Sequence, residues 1–207
     1  MRLYRSKFEE VIRLLDPETK TLLDVGCRDG RLKNDLPGTI QYSGIDLSPG
    51  PLVSKVCNIE QGIPYPDNAF DTVVALDILE HTDNIWFSFS ELVRVSRRQI
   101  MVVLPNCYHW KNRLRYLHGK EADKYKLSHE PILDRHRWLV SYTTACAFAT
   151  QMAHNSGLAM TMASIMVDER RNPLRELAAC VLSPNLMSVS VFFLFEKQRA
   201  ARPALTG

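Results

Sequence analysis

Leu22-Leu23-Asp24-Val25-Gly26-Cys27-Arg28-Asp29-Gly30 is an apolar strand that runs into a glycine turn. Leu22, Leu23 and Val25 suit a strand covered on both faces. Gly26 and Gly30 permit a sharp turn and a close approach of backbone to a ligand. Twenty residues after Gly26 stands Asp46, at the end of a second apolar run, Tyr42 to Ile45. A carboxylate in that place accepts hydrogen bonds from the two hydroxyls of a ribose.

The glycine spacing separates nucleotide classes. A dinucleotide turn requires Gly-x-Gly-x-x-Gly, so that the backbone leaves room for a pyrophosphate. Counted from Gly26, the second and third of those places hold Arg28 and Arg31. A dinucleotide cofactor is therefore disfavoured.

The Asp24-Val25-Gly26-x-x-x-Gly30 turn followed by Asp46 resembles the class I S-adenosylmethionine-dependent methyltransferases, whose first motif is commonly Asp-x-Gly-x-Gly-x-Gly. Arg28 departs from that motif at its middle glycine. A second stretch resembles the same family in order and spacing. Gly62-Ile63-Pro64-Tyr65-Pro66-Asp67-Asn68-Ala69-Phe70-Asp71-Thr72-Val73-Val74 is a proline-rich loop entering a strand, and Leu79-Glu80-His81 follows. Glu91-Leu92-Val93-Arg94-Val95 also looks like this family.

The bulk numbers agree with one soluble α/β domain. The 207 residues are enough for one core and too few for two comfortable ones. A net charge of +3 gives no reason to propose nucleic acid as a partner. Five cysteines, spread singly and odd in number, argue against a disulfide framework or a zinc site and for a reducing, cytoplasmic setting. Met1 to Arg5 has no apolar signal core. Two long uncharged stretches, Trp138 to Ala153 and Leu177 to Phe195, read as buried elements and not membrane spans.

Periodicity predicts a helix over Tyr4 to Leu15, with Arg5 or Lys7 available to face a cofactor. Strands follow at Gln41 to Ile45, Ser54 to Cys57, Thr72 to Leu76, Gln99 to Leu104, Ala159 to Val167 and Ser188 to Phe195. Further helices are expected over Arg31 to Leu36, Asn84 to Ser96, Ser141 to Ser156 and from Asn172-Pro173 to Val181. Together with the first strand this makes seven, interleaved with helices. That alternation implies an α/β fold, a Rossmann-like mainly parallel sheet with helices on both faces. The resemblance implies that the last strand is antiparallel, inserted next to the sixth.

Residues 107–138 break the alternation. They hold eight Lys or Arg, four Asp or Glu and four histidines, with aromatic residues among them. An insertion after the fifth strand lies at the carboxyl edge of the sheet, where ligands bind. We read it as a lid or substrate-selecting region within a single domain spanning 1–207.

The resemblance assigns roles position by position. Gly26, Cys27 and Gly30 lie along the methionine part of S-adenosylmethionine, and Asp24 orders the turn or approaches its amino group. Asp46 takes the ribose, Leu47 lies against the adenine, and Asn58-Ile59 match the place that faces the adenine amino group. Asp77 sits near the sulfonium. His81, four residues on, is expected at the same mouth if the chain continues as a helical turn, and is a candidate base. Tyr108 and His109 are further candidates for the acceptor pocket.

No metal is expected. Relatives with a magnesium site place acids after strands four and five, and Asp77 with Pro105-Asn106 meets only half of that pattern. The histidines lack regular ligand spacing. Direct displacement from a sulfonium asks the protein chiefly to align atoms and exclude water. The expected function is methyl transfer to a small-molecule or lipid-like acceptor. The alternative is a non-catalytic binding protein that retains the fold.

Overall fold

The structure is a computed structural model. It describes residues 2–4, 6–121, 124–125, 129–130, 135–167, 177–178 and 181–198. Among the described residues eight strands form one sheet: β1 (Arg2–Tyr4), β2 (Thr21–Val25), β3 (Gln41–Asp46), β4 (Val53–Val56), β5 (Phe70–Leu76), β6 (Ser96–Pro105), β7 (Leu158–Met166) and β8 (Ser190–Lys197). Their order is β1-β7-β8-β6-β5-β2-β3-β4. Strand β8 runs antiparallel to both β6 and β7, and the remaining pairs are parallel. The antiparallel strand thus lies inside the sheet.

Among the described residues the helices with complete bounds are α1 (Lys7–Leu14), α2 (Arg31–Asp35), α3 (Ile85–Val95), α4 (Trp110–Leu117), α5 (Tyr142–Asn155) and the short α6 (Pro184–Met187). Alternate strand residues feed two cores. Leu23, Val25, Ile100, Val102, Val191 and Phe193 face Phe89 and Leu92 of α3 and Ala145 and Ala149 of α5. Leu22, Val74, Met101, Val103 and Phe192 face Val11 of α1 and Leu32 of α2. Burial on both faces is why these strands are continuously apolar.

Three expectations need correction. The first helix begins at Lys7, and Arg2–Tyr4 is an additional edge strand paired with Ser164–Met166. Tyr4 is drawn inward: its hydroxyl meets Ser190 Oγ at 2.6 Å and its ring stands edge-on to Phe192. Ser6 then caps α1 through the Glu9 amide. Secondly, β6 extends back to Ser96, because it takes up the chain directly from α3. Thirdly, the stretch Leu177 to Phe195 is not uniformly buried: its residues from Ser190 on are, but Leu177 and Val181 are 64% and 78% exposed.

The expected helix from Asn172 to Val181 falls mostly outside the described residues, as does Arg5. No helix among the described residues is long and apolar enough to cross a membrane.

Candidate functional site

The carboxyl ends of β2, β3 and β5 meet at Gly26. Its φ is +75°, and its amide donates to Ile45 O at 2.8 Å, which ties the turn to the end of β3. A Cβ built there would lie 2.0 Å from Ile78 Cδ1. Glycine is required at this point both by the backbone angle and by the side chain facing it.

Two clefts open on either side of Gly26 and Ile78. The larger, about 390 Å³, is lined by Asp46, Leu47, Asn58, Ile59 and His81 among others. The smaller, about 250 Å³, is lined by Lys7, Asp24, Cys27, Arg28 and Asp77 among others. Both include Gly26 and Ile78 in their walls. Gly26 and Ile78 therefore form a partition shared by two adjacent clefts.

The carboxylate of Asp46 accepts from the Arg28 amide at 2.9 Å and from the Ser48 amide at 3.0 Å. It joins the glycine turn to the loop after β3, and each oxygen keeps a lone-pair direction for a ligand hydroxyl. Leu47 is 62% exposed and supplies an apolar wall. Ile59 forms another part of it.

Asn58 lines the same cleft, but its Oδ1 caps the short turn Ile59–Gln61 by accepting from the Glu60 amide. The carbonyl expected to meet an adenine amino group is thus already engaged locally.

The smaller cleft is acidic at its floor. Asp24 is buried and accepts from the Tyr42 hydroxyl at 2.9 Å. Burial pushes its carboxyl up to about 6, against the pull of the Tyr42 hydrogen bond and of Lys7. The same burial pushes the Cys27 thiol up to about 11, so it is a neutral, non-nucleophilic wall at pH 7. Asp77 pairs with Lys7 at 2.6 Å. Of the two basic residues expected to face a cofactor from the first helix, Lys7 does line the cleft.

Arg28 has φ +48°, so it adopts the left-handed backbone of the glycine it replaces. It stands in the wall of the smaller cleft without closing the larger one.

Other sequence-based placements separate in space. Gly30, with φ +69°, starts α2 and faces Leu52, behind the turn and in neither cleft wall. Asp77 and His81 open onto different clefts. Asp77 has φ +58°, which breaks the helical path, and the short turn Leu79–His81 starts only after it.

His109 lines a third cleft of about 370 Å³ beyond β6, and Tyr108 lines none of the three. Asn106 explains this departure. Its amide donates to Asn185 O and Ser188 O, and its Oδ1 accepts from the Tyr108 amide, so the chain leaving β6 turns toward β8.

Sequence reasoning missed Ile78, Arg137 and Glu80. Ile78 divides the two clefts, and Arg137 reaches the larger one from the segment after β6. Only Glu80 had a visible sign, the Leu79-Glu80-His81 run.

A family model described as methionine biosynthesis protein MetW matches residues 5–194. No sequence among the curated proteins matches. Several solved structures share the fold. A SAM-dependent methyltransferase from Thermotoga maritima is 14% identical with a TM-score of 0.60, covering 95% of this chain and 90% of that one. One from Archaeoglobus fulgidus is 17% identical with a TM-score of 0.58, covering 94% and 96%. The magnesium protoporphyrin IX methyltransferase of Synechocystis, solved with bound SAH, is 13% identical with a TM-score of 0.57, covering 92% and 80%. At these identities the likeness shows a shared class I methyltransferase fold.

Proposed function

The chain belongs to the methionine biosynthesis protein MetW family, and from that membership and its paired clefts we propose that it binds S-adenosylmethionine and transfers the methyl group to a small-molecule acceptor. The observation that carries the reading is the pair of clefts that adjoin at Gly26. The larger offers Asp46 and the Leu47 and Ile59 side chains to a ribose and a base. The smaller offers Asp24 and Asp77 to the cationic groups of a methionine end. S-adenosylmethionine has an uncharged nucleoside, then a sulfonium, an ammonium and a carboxylate, and the basic residues Lys7, Arg28 and Arg31 of the same wall suit the last of these.

In this reading Asp46 receives the ribose hydroxyls and Asp24 the ammonium. Cys27 contributes backbone and Ile78 the partition. The cofactor supplies the reactive carbon and its leaving group, so the protein's part is alignment and exclusion of water. We assign the acceptor side to the segment 107–138, in one domain with the rest; its His109 and His136 line the third cleft.

A second reading is a binding protein without turnover. Arg28 in the wall of the methionine-side cleft and the engaged Asn58 carbonyl support it. Calorimetry separates the readings. We expect S-adenosylmethionine and its demethylated product both to bind. Asp46→Ala should cost about 1.5–3 kcal/mol of affinity through lost charge-assisted hydrogen bonds. Binding of neither compound removes the enzyme reading. Binding with no label transferred from the methyl-labelled cofactor to any metabolite pool leaves the second.

A further inference from the structure

Between the larger cofactor cleft and the third cleft lies a polar cluster drawn from two distant parts of the chain. Glu80, in the turn after β5, has a side chain 1% exposed. Neither of its carboxylate oxygens has a hydrogen-bond partner among the described residues. His81 Nε2 and His136 Nε2 each lie 3.9 Å from Glu80 Oε1. The two imidazoles meet edge to face, with centroids 4.6 Å apart. His81 lines the larger cofactor cleft and His136 the third.

The atoms behind the rings fix which nitrogen faces Glu80 with a lone pair. His81 Nδ1 lies 3.1 Å from the Arg135 carbonyl, which can only accept, so Nδ1 carries the proton. Tyr125 donates its hydroxyl to the Trp138 carbonyl. Toward His136 Nδ1, 3.0 Å away, the same hydroxyl therefore accepts. In the neutral form of each ring Nε2 is then the acceptor atom, turned toward Glu80, and a metal ion there would take the place of a proton. A carbonyl or hydroxyl that holds the far nitrogen is the usual support of a metal-binding imidazole.

This arrangement is costly without a cation. An ionised carboxylate with this little exposure and no hydrogen bond loses several kcal/mol of hydration (roughly, for a buried ion). Protonation does not remove the problem, because 3.9 Å is too long for a hydrogen bond to either imidazole. Yet two donors at that separation fit around one ion. Closing by about half an ångström reaches the ~3.4 Å expected between tetrahedral donors with bonds of about 2.0–2.1 Å. One ligand atom from each of the three residues lies within 4.8 Å of the others.

We propose that Glu80, His81 and His136 bind a divalent transition-metal ion of the zinc class. Two imidazole nitrogens and one carboxylate oxygen suit zinc and its neighbours, and not magnesium, which prefers oxygen alone. Three protein donors leave a fourth position for water or an acceptor oxygen. The ion ties the segment bearing His136 to the wall of the cofactor cleft, beside the Arg137 amide that already donates to Glu80 O at 2.8 Å. Sequence spacing alone pointed to no metal, because 55 positions separate His136 from His81.

The test uses the tag-free 207-residue chain, stripped with a chelator and desalted, and titrated with Zn(II) by calorimetry and with Co(II) by visible absorption. We expect one equivalent per chain and the intense d–d bands of four-coordinate cobalt. Glu80→Gln and His136→Ala should each weaken zinc binding about 100-fold, while His154→Ala, on the exposed end of α5, leaves it unchanged. Should Glu80→Gln not fold, His136→Ala decides. The proposal is overturned if His136→Ala binds zinc as the parent does, or if the stripped parent keeps its circular dichroism and binds none. Neither titration contains S-adenosylmethionine, so the outcome is independent of the methyltransferase reading.

Discussion

At the scale of the residue, Asp24 makes the sharpest prediction. Its carboxyl titrates near 6 in the folded protein, against an ordinary 3.8, because burial penalises the charge. A raised carboxylate contributes stability that is complete below the unfolded value and lost as pH rises through the folded one. Stability should therefore fall between about pH 4 and 6, by at most ~3 kcal/mol from this group. A ligand ammonium beside Asp24 favours the charged form, so binding releases a proton and affinity rises with pH up to about 6. Titrations from pH 5 to 7.5 check this: Asp24→Asn should flatten the profile, and a parent with no slope would place the ammonium elsewhere. Arg28 shows the complementary case. Its position is readable as a departure from a glycine motif, yet its positive φ shows that the turn keeps the glycine geometry around a larger side chain.

Among the elements, the β2 turn depends on one neighbour. At Gly26 an added methyl meets Ile78 Cδ1 at 2.0 Å and a backbone angle unfavourable to L residues. Gly26→Ala should destabilise by roughly 2–4 kcal/mol from overpacking and left-handed strain together. Shortening the neighbour in Gly26→Ala/Ile78→Ala should recover part of that loss in denaturant melts; no recovery would mean the backbone angle accounts for all of it. The proline-rich loop before β5 shows how an element with no periodicity becomes ordered. Arg94 of α3 donates to the Ile63 and Tyr65 carbonyls and to Asp67, while Glu91 accepts from the Ile63 amide. These two residues were legible as part of a resemblance. Their task, clamping a loop some 30 positions earlier, was not.

For the whole molecule, the interior place of β8 has a consequence. Seven of its residues register against β6 and the strand also pairs along β7, while Val191, Phe192, Phe193 and Phe195 are fully buried. A chain ending at Ser188 should lose cooperative unfolding altogether, seen as the absence of a thermal transition, and a sharp transition in that variant would contradict the central role given to β8. The amino-acid sequence by itself determined the α/β class and the strand-turn-acid constellation around Gly26 and Asp46. Those features are local: alternation and glycine placement act over a few residues. Tertiary structure alone decided the edge strand β1, the partition of the clefts by Ile78, the turning of Tyr108 away from the clefts and the convergence of Glu80, His81 and His136. Each of these depends on side chains brought together from distant parts of the chain, and no pattern within a single segment records which distant partner will fill the space or answer the charge.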